Sequence, residues 1–310
     1  MKVYNAVFTP MGRKNLRNHL KKRGANLNPA FRKDGTLIYS LANRQPFVFH
    51  RDNQLSELIF LEGAYEPLET LIVSQAVRDN DIVLDIGANV GYYTALLARL
   101  VKSGGQVHSF EPGQGTFKKL EETKKLLKLE QAFLYQKAIS DSVGPLDFWV
   151  STSGSDAQQS TARVAALGPQ TRRATVEATT LDAFVAGLNG DGKRHVAFVK
   201  CDIEGAELSM IKGARSLLAS ADPPLWLIEH NRAALNEHGN GSIDLLAPFS
   251  NFDIYFIPLS WPPSHMESRQ AHSWSGRPDD LPDECNLIIV PKTGAHKSRG
   301  MTLRQAGLIP

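Results

Sequence analysis

Cysteine is scarce in this chain, and long apolar runs are missing. Cys201 and Cys285 are the only cysteines among 310 residues, which excludes a disulfide framework and a zinc site with several cysteine ligands. No apolar stretch approaches the roughly 20 residues of a membrane-spanning helix, and the N-terminus lacks the apolar region of a signal peptide. The sequence alone therefore predicts a cytoplasmic protein without a membrane span.

An excess of charge of one sign is also missing, except at the two ends. The formal net charge is only +3, which by itself gives no reason to expect nucleic-acid binding. Every charged residue before Asp34 is basic, however, and the charges after residue 291 are basic as well. Such ends are typical of solvated or partly disordered arms, and they could also meet an anionic substrate or membrane surface.

What the chain does have is an apolar strand followed at once by a glycine turn and a helix. Residues 82–86 are apolar except for Asp85, which predicts a buried parallel strand. Gly87 and Gly91 bracket the turn, and a helix is predicted from Tyr92 to Val101. Such a turn brings backbone N–H groups and a helix N-terminus close to a ligand above the strand.

The glycine spacing and the nearby charges favour one class of nucleoside. A dinucleotide-binding turn reads G-x-G-x-x-G because its backbone approaches a pyrophosphate, whereas this turn reads Asp85-x-Gly87-x-Asn89-x-Gly91. The carboxylate of Asp85 would repel a pyrophosphate and suits a cationic or zwitterionic ligand. The next strand ends at Glu111, at the interval of about 20 residues typical of a carboxylate that binds ribose hydroxyls. The turn therefore favours S-adenosylmethionine over NAD.

Strands and helices alternate beyond this turn, which predicts a doubly wound α/β sheet. We divide the chain into a basic leader and N-terminal cap at residues 1–78, an α/β domain at 79–292 and a basic C-terminal tail at 293–310. Residues 252–258 and 285–290 are expected to supply the last two strands as an antiparallel pair.

Polar residues follow several of the predicted strands, and ligands of open α/β sheets bind at the carboxyl ends of the strands. Ser140 and Asp141 are candidates to receive the adenine amino group, with an Asx or serine turn as the alternative. Lys200 could reach the methionine carboxylate or form a structural salt bridge.

Asp202 and His230 are the two candidate general bases. Asp202 follows the predicted strand 196–200 and could orient a substrate, take a proton or bind a metal, whereas Glu204 is expected to cap the next helix. His230 follows the strand after that, and an imidazole titrates near neutral pH as a general base must. The alternative for His230 is a structural histidine at a strand end.

Five motifs in order resemble the FkbM-type class I methyltransferases. They are Asp85-Ile-Gly-Ala-Asn-Val-Gly-Tyr-Tyr, Phe110-Glu-Pro, Ala138-Ile-Ser-Asp, Thr180-Leu-Asp and Lys200-Cys-Asp-Ile-Glu-Gly-Ala-Glu. The upstream Gly63-Ala-Tyr-Glu-Pro and the late Asn286-Leu-Ile-Ile-Val-Pro fit the same pattern. The likeness covers roughly Leu55 to Pro291.

The resemblance implies a Rossmann-like seven-stranded methyltransferase sheet with helices on both faces, preceded by an N-terminal cap segment. It also implies S-adenosylmethionine as the donor and a hydroxyl acceptor on a sugar, glycan or polyketide-type natural product. Lys200, Asp202 and Glu204 match the family signature near the reacting centre. Positions that match the family's cofactor contacts are Asp85, Gly87, Asn89 and Gly91 in the turn, Glu111 for the ribose, and Ser140 with Asp141 on the adenine side.

Several alternatives stay open on the sequence. Methylation of nitrogen or of RNA is one, although no basic stretch interleaved with aromatic residues supports nucleic-acid binding. A metal-assisted reaction at Asp202 would need a second pair of acids that the sequence lacks, so no metal is expected. A non-catalytic partner protein would be expected to have lost some of the acids. We place acceptor choice in the leader and in residues 260–283, which match no family pattern, and a homo-oligomer is left open.

Overall fold

The structure is a computed structural model, and it describes residues 30–31, 37–41, 43–50, 53–151, 159–160, 171–188, 195–259 and 270–310. The basic leader up to residue 29 and residues 260–269 of the long polar segment lie outside the described residues. Among the residues that it does describe, no helix has the length and apolar character needed to cross a bilayer.

A small antiparallel sheet and two helices precede the central sheet. Leu37–Ser40 lies antiparallel to Pro46–Phe49. The elements are β1 (Ala30–Phe31), β2 (Leu37–Ser40), β3 (Pro46–Phe49), α1 (Gln54–Glu62) and α2 (Pro67–Ala76). The side chain of Asn53 accepts a hydrogen bond from the Ser56 N–H and so caps α1.

The predicted strand–turn–helix unit opens the main domain. Its elements are β4 (Ile82–Ile86), α3 (Tyr92–Val101), β5 (Gln106–Phe110), α4 (Gln114–Leu127) and β6 (Ala132–Tyr135). A side sheet follows, in the order β7-β10-β8-β9. It is made of β7 (Ala138–Ile139), β8 (Gly144–Ser151), β9 (Gln159–Ser160) and β10 (Thr171–Thr179), and α5 (Leu181–Leu188) follows it.

The second half of the domain completes the central sheet. Its strands are β11 (Val196–Cys201), β12 (Leu225–Asn231), β13 (Phe252–Pro258), β14 (His272–Ser273) and β15 (Glu284–Pro291). Its helices are α6 (Glu207–Lys212), α7 (Arg215–Leu218), α8 (Arg232–Glu237), α9 (Ser242–Leu246) and α10 (Lys297–Gln305), with short 3₁₀ turns at Ala247–Phe249 and Pro278–Asp280.

The described residues place eight strands in the central sheet, in the order β14-β13-β15-β12-β11-β4-β5-β6. The five strands from β12 to β6 are parallel, and β15 is antiparallel to both of its neighbours. The antiparallel pairing expected of the last two strands is thus confirmed. The sheet is the doubly wound, Rossmann-like one that the sequence predicts, and the two-residue β14 is added at one edge.

Two apolar cores cover the two faces of the sheet, and this decides where each strand side chain lies. Val83 packs in the first core, with α2, α3 and α10, whereas Leu84 packs in the second, with α6 and α9. Because side chains alternate along a strand, Asp85 lies on the same face as Val83. The predicted tail contributes Leu303 and Ile309 to the first core.

Candidate active site

A cavity of about 520 Å³ lies at the carboxyl ends of β4, β5 and β11. The strand order reverses between β4 and β11, which is where open α/β sheets bind their ligands. The cavity is lined by six of the residues predicted from the sequence, namely Asp85, Gly87, Asn89, Glu111, Lys200 and Asp202. The structure therefore brings the acids of the first two strands and the Lys200–Asp202 signature to one place.

Gly87 allows the turns after β4 and β11 to touch. Its φ is +79°, and a Cβ at this position would lie 1.9 Å from the carbonyl oxygen of Asp202. Only glycine combines this left-handed backbone with such a close approach. The backbone of the turn is thereby exposed to the cavity next to Asp202.

Glu111 is held by the same turn. Its Oε2 accepts a hydrogen bond of 3.1 Å from the Asn89 N–H, and its Oε1 accepts one of 2.9 Å from the Gly113 N–H. Burial raises the pKa of Glu111 to about 7, although these two N–H groups oppose the rise. Each carboxyl oxygen can still accept a hydrogen bond from a ligand hydroxyl.

Asp85 is fully buried under the cavity. Its Oδ2 accepts a hydrogen bond of 2.6 Å from the Thr94 hydroxyl, which also lies 2.9 Å from Ser109 Oγ. Its Oδ1 has no hydrogen-bond partner among the described residues. Burial raises the pKa of Asp85, and the ammonium of Lys200 opposes that rise. A buried carboxyl oxygen without a partner is suited to a cationic group of a ligand.

The buried Lys200 and the partly exposed Asp202 form an ion pair at the cavity wall. Lys200 Nζ donates to Asp202 Oδ2 over 3.0 Å and lies 5.0 Å from the centre of the Tyr93 ring. Burial alone would lower the pKa of Lys200, but the carboxylates of Asp202 and Asp85 outweigh it, so that pKa is raised. Burial would likewise raise the pKa of Asp202, but Lys200 outweighs it and that pKa is lowered. At neutral pH the cavity therefore contains an ionised Asp202.

Four polar residues outside the predicted site residues surround this pair, namely Glu66, Tyr93, Glu229 and Asn286. Glu66 Oε2 accepts a hydrogen bond of 2.5 Å from the Tyr93 hydroxyl. The amide of Asn286 donates to Glu66 Oε1 over 3.2 Å, and Glu229 forms a side-chain hydrogen bond with Asp202. Glu66 and Asn286 stand in the two outlying family motifs, which was the available signal for them.

His230 does not reach the cavity. It belongs with Trp226 and Ile228 on the second-core face of β12, so its side chain points away from Asp202. It is fully buried, and its Nε2 lies 2.8 Å from Ser242 Oγ. Burial lowers the pKa of His230 to about 4, so the ring is neutral and has no contact with the cavity. The interpretation of His230 as a general base is therefore corrected to a structural one.

The adenine-side turn is displaced from its expected position. The Ser140 N–H donates to the Thr179 carbonyl over 3.0 Å, and neither Ser140 nor the exposed Asp141 lines the cavity. The preceding residues Ala138 and Ile139 do line it. This place in the cavity therefore offers an apolar wall instead of the polar side chains expected there.

Two further expectations differ in detail. Gly91 lies behind the cavity with a φ of +93°, and a Cβ there would meet Leu120 Cδ1 at 2.8 Å. Glycine is therefore needed at this position for packing on α4.

Glu204 does not cap the next helix as expected. It has a φ of +56° and is exposed at the cavity mouth. The side chain of Glu207 accepts a hydrogen bond of 3.0 Å from the Ile203 N–H instead.

Comparison with known proteins gives one family and a set of distant structures. A family profile described as "Methyltransferase FkbM domain" matches residues 85–253. No curated protein matches the chain. Similar solved structures include a putative rRNA methylase from Clostridium thermocellum, with 10% identity, a TM-score of 0.40, and coverage of 74% of this chain and 96% of that chain.

Two other solved structures are similar at the same level. A methyltransferase FkbM from Methylobacillus flagellatus KT has 15% identity and a TM-score of 0.39, and the match covers 76% of this chain but 53% of that one. A SAM-dependent O-methyltransferase from Thermotoga maritima has 12% identity and a TM-score of 0.39, with coverage of 82% and 92%. We draw no conclusion about function from likenesses this distant.

The residues of the cavity fit S-adenosylmethionine. The partnerless Oδ1 of Asp85 suits its positive charge, Gly87 leaves the turn backbone open to it, and Glu111 keeps acceptor capacity for hydroxyl groups. The profile match covers more than half of the chain and includes both the glycine turn and the Lys200–Asp202 signature. The chain belongs to the FkbM methyltransferase family and is an S-adenosylmethionine-dependent methyltransferase.

Proposed function

We propose that this chain methylates a hydroxyl group of a small neutral or cationic acceptor, such as a sugar, a glycan or a polyketide-type product, and that Asp202 takes the hydroxyl proton. The observation that carries the proposal is the carboxyl group of Asp202, paired with Lys200 over 3.0 Å on the wall of the cavity. A neutral alcohol is a weak nucleophile and needs a proton acceptor within hydrogen-bond reach.

The lowered pKa of Asp202 is compatible with this role. As the new bond forms, the acceptor oxygen gains positive charge, and its proton becomes strongly acidic. A carboxylate can accept such a proton even though it is a weak base. A fixed position then matters more than basicity, because methyl transfer depends on alignment of the reacting atoms.

The nucleoside would be held at the β4–β5 side of the cavity. There Glu111 would accept hydrogen bonds from the ribose hydroxyls, and the apolar wall of Ala138 and Ile139 would contact the adenine. The turn residues Gly87 and Asn89 would present their backbone to the methionine portion, with Asp85 and Lys200 near its charged groups. The bound cofactor supplies an electrophilic methyl group on a sulfonium.

The charge of the cavity supports a neutral or cationic acceptor over RNA. Its mouth is lined by two exposed acids, Glu237 on α8 and Glu284 on β15. Among the described residues that line the cavity, the cations are Lys200, which is paired with Asp202, and Lys137, which lies toward the nucleoside end. A phosphate-bearing acceptor would be repelled by these acids, since nucleic-acid sites are lined by cations.

A transfer assay with methyl-labelled S-adenosylmethionine tests the proposal. The acceptor panel contains neutral glycosides, amino-sugar glycosides, amines without hydroxyl groups, and ribosomal RNA. We expect label in the hydroxyl-bearing compounds and none in the RNA. Label in the RNA alone would contradict the proposal, and label in the plain amines alone would assign nitrogen as the acceptor atom.

The Asp202→Asn variant tests the role of the base. Asparagine keeps the size of the side chain but cannot take the proton, so we expect turnover to fall by about 10² or more. The dissociation constant of S-adenosylhomocysteine, measured by calorimetry, should change little. Asp279→Asn, an exposed acid outside the cavity, is the matched control. A fully active Asp202→Asn enzyme would remove Asp202 as the base.

A further inference from the structure

The end of β12 places a second carboxyl group, that of Glu229, beside Asp202. Cys201 is aligned with Ile228 in the parallel β11–β12 pair, so Asp202 and Glu229 follow at the same level and on the same face of the sheet. A side-chain hydrogen bond joins the two. Lys200 binds Asp202 through Oδ2. One ammonium and two carboxyl groups therefore share this site.

Only one of the two carboxyl groups can be ionised. A hydrogen bond between carboxyl groups needs a proton on one of them, and two carboxylates this close would repel each other. The ammonium of Lys200, 3.0 Å from Asp202, makes Asp202 the anion. Glu229 Oε2 is buried, and no N–H or hydroxyl group of the described residues donates a hydrogen bond to it, which would be costly for an ionised carboxylate.

Apart from the ammonium of Lys200, which binds Asp202, the titratable groups that face Glu229 from the surrounding elements are acids. Burial comes first, and Asp202 next, in holding the pKa of Glu229 well above its usual value. The facing titratable groups are Lys200 and Cys201 on β11, Asp202 after it, Glu204 in the following turn, Glu207 on α6, Cys285 on β15 and Tyr65 before α2. The negative charge of Asp202 therefore disfavours a second negative charge at this position.

We propose that Glu229 is a positioning residue for methyl transfer, whose protonated carboxyl group donates a hydrogen bond to Asp202 and orients that carboxylate toward the acceptor hydroxyl. The inference rests on the proposed function, because that function makes Asp202 the proton acceptor. In each turnover the acceptor O–H bond breaks and its proton binds Asp202. Asp202 then releases the proton to water, which it reaches because 26% of its side chain is exposed. Glu229 keeps its own proton throughout.

Two substitutions of similar size separate positioning from packing. In Glu229→Gln the amide can still donate to Asp202, so we expect methyl transfer within about threefold of the wild type. In Glu229→Leu no donor remains, and a lost hydrogen bond to a charged group predicts a fall of about tenfold or more. The dissociation constant of S-adenosylhomocysteine should stay unchanged in both variants.

The pH dependence of the methylation rate separates the two roles, because a loss of packing alone would not shift it. The hydrogen bond from Glu229 stabilises the anionic form of Asp202. Its loss in Glu229→Leu should therefore shift the acidic limb of the rate profile to higher pH, whereas Glu229→Gln should keep the wild-type limb. Equal rates and an unchanged limb in Glu229→Leu would overturn the inference.

A titration of the carboxyl group needs no acceptor at all. In protein labelled with carboxyl-¹³C glutamate, the Glu229 resonance is identified by its loss in Glu229→Gln. We expect it to report a protonated acid at about pH 7, and to titrate at lower pH in Asp202→Asn, which removes the neighbouring charge. An ionised Glu229 at neutral pH would overturn the inference. If the wild type methylates no acceptor in the panel, the proposed function fails while this titration still decides the state of Glu229.

Discussion

Glu111 accepts hydrogen bonds from two backbone N–H groups while only 7% of it is exposed. The N–H groups favour its ionised form, but burial prevails and raises its pKa to about 7. Ribose hydroxyl groups would donate to the ionised form, so below pH 7 the nucleoside has to displace a proton from Glu111. We therefore expect the affinity for S-adenosylhomocysteine to rise as the pH increases toward 7 and to level off above it.

Calorimetry from about pH 5.5 to about pH 8.5 checks this dependence on Glu111. The slope should approach a tenfold gain in affinity per pH unit at the acidic end. Glu111→Gln cannot ionise and is the control, for which we expect weaker binding and loss of this slope. A wild-type profile as flat as that of Glu111→Gln would mean that the ribose does not depend on the charge of Glu111.

At this scale the sequence predicted the acids that stand close to the glycine turn. Asp85 and Glu111 were found because each stands at the end of an apolar strand, at a fixed distance from Gly87. His230 was misassigned because the sequence shows only that neighbouring strand residues face opposite ways. Which face of β12 borders the cavity depends on the packing of the two cores. That packing places Glu229, and not His230, on the same face as Asp202.

At the scale of elements, the contact between the turns after β4 and β11 predicts the effect of a substitution at Gly87. In Gly87→Ala the new Cβ would overlap the carbonyl oxygen of Asp202, so the turns after β4 and β11 must separate. We expect a loss of about 1–3 kcal/mol in the free energy of unfolding, as for other overpacked sites. Binding of S-adenosylhomocysteine should be lost as well, because both turns border the cavity. Urea unfolding and calorimetry measure the two effects.

Gly187→Ala is the matched control for that substitution. Gly187 lies in α5, and a Cβ there would meet no atom within 4 Å. Alanine is favoured over glycine in a helix, so stability should be unchanged or higher by up to about 1 kcal/mol. Similar losses in both variants would show that the overlap at Gly87 is relieved without separating the turns.

The helices and strands were easier to predict from the sequence than which strands pair with one another. The strand–turn–helix unit at β4 and α3 was predicted because its signals are local apolar periodicity and glycine. The side sheet separates from the central sheet through the pairing of β7 with β10 across some 40 positions, for example Ala138 with Ala178. Such pairing leaves no local pattern in either strand.

At the scale of the whole molecule, one buried ion pair ties the C-terminal helix to the core. Arg299 on α10 donates to both carboxylate oxygens of Asp81, over 2.7 and 2.8 Å, and also to the Ala76 carbonyl. Removing one partner of a buried pair leaves a charge without compensation. We therefore expect Arg299→Met to lower the free energy of unfolding by about 3–5 kcal/mol, measured by urea unfolding.

Arg304→Met on the same helix is the control. Arg304 pairs with Asp253, and the two side chains are each 39% exposed, so its loss should cost no more than about 1 kcal/mol. Equal losses for the two variants would contradict the role assigned to Arg299, and the double variant Arg299→Met with Asp81→Leu should recover part of the loss.

The long-range contacts of the site lie beyond sequence reasoning. The hydrogen bond from Asn286 to Glu66 joins residues 220 positions apart. It exists only because β15 inserts antiparallel beside β12 and places Asn286 opposite Glu229. The family motifs pointed to Glu66 and Asn286 as a pattern, whereas their contact follows from the order of the strands.

Helix α2 links the C-terminal helix α10 to the residues beside the cavity. The carbonyl of Ala76, at one end of α2, is held by Arg299, and Glu66, at the other end, contacts Tyr93 beside the cavity. A ten-residue helix is about 15 Å long and nearly rigid, so α2 rigidly connects the last helix of the chain to the residues beside the cavity. We expect that loss of the contact between Arg299 and Ala76 at one end of α2 would shift Glu66 and Tyr93 at the other end, and with them the surroundings of Lys200. We therefore expect residues that touch no ligand, such as Arg299, to influence how firmly the reacting groups are aligned.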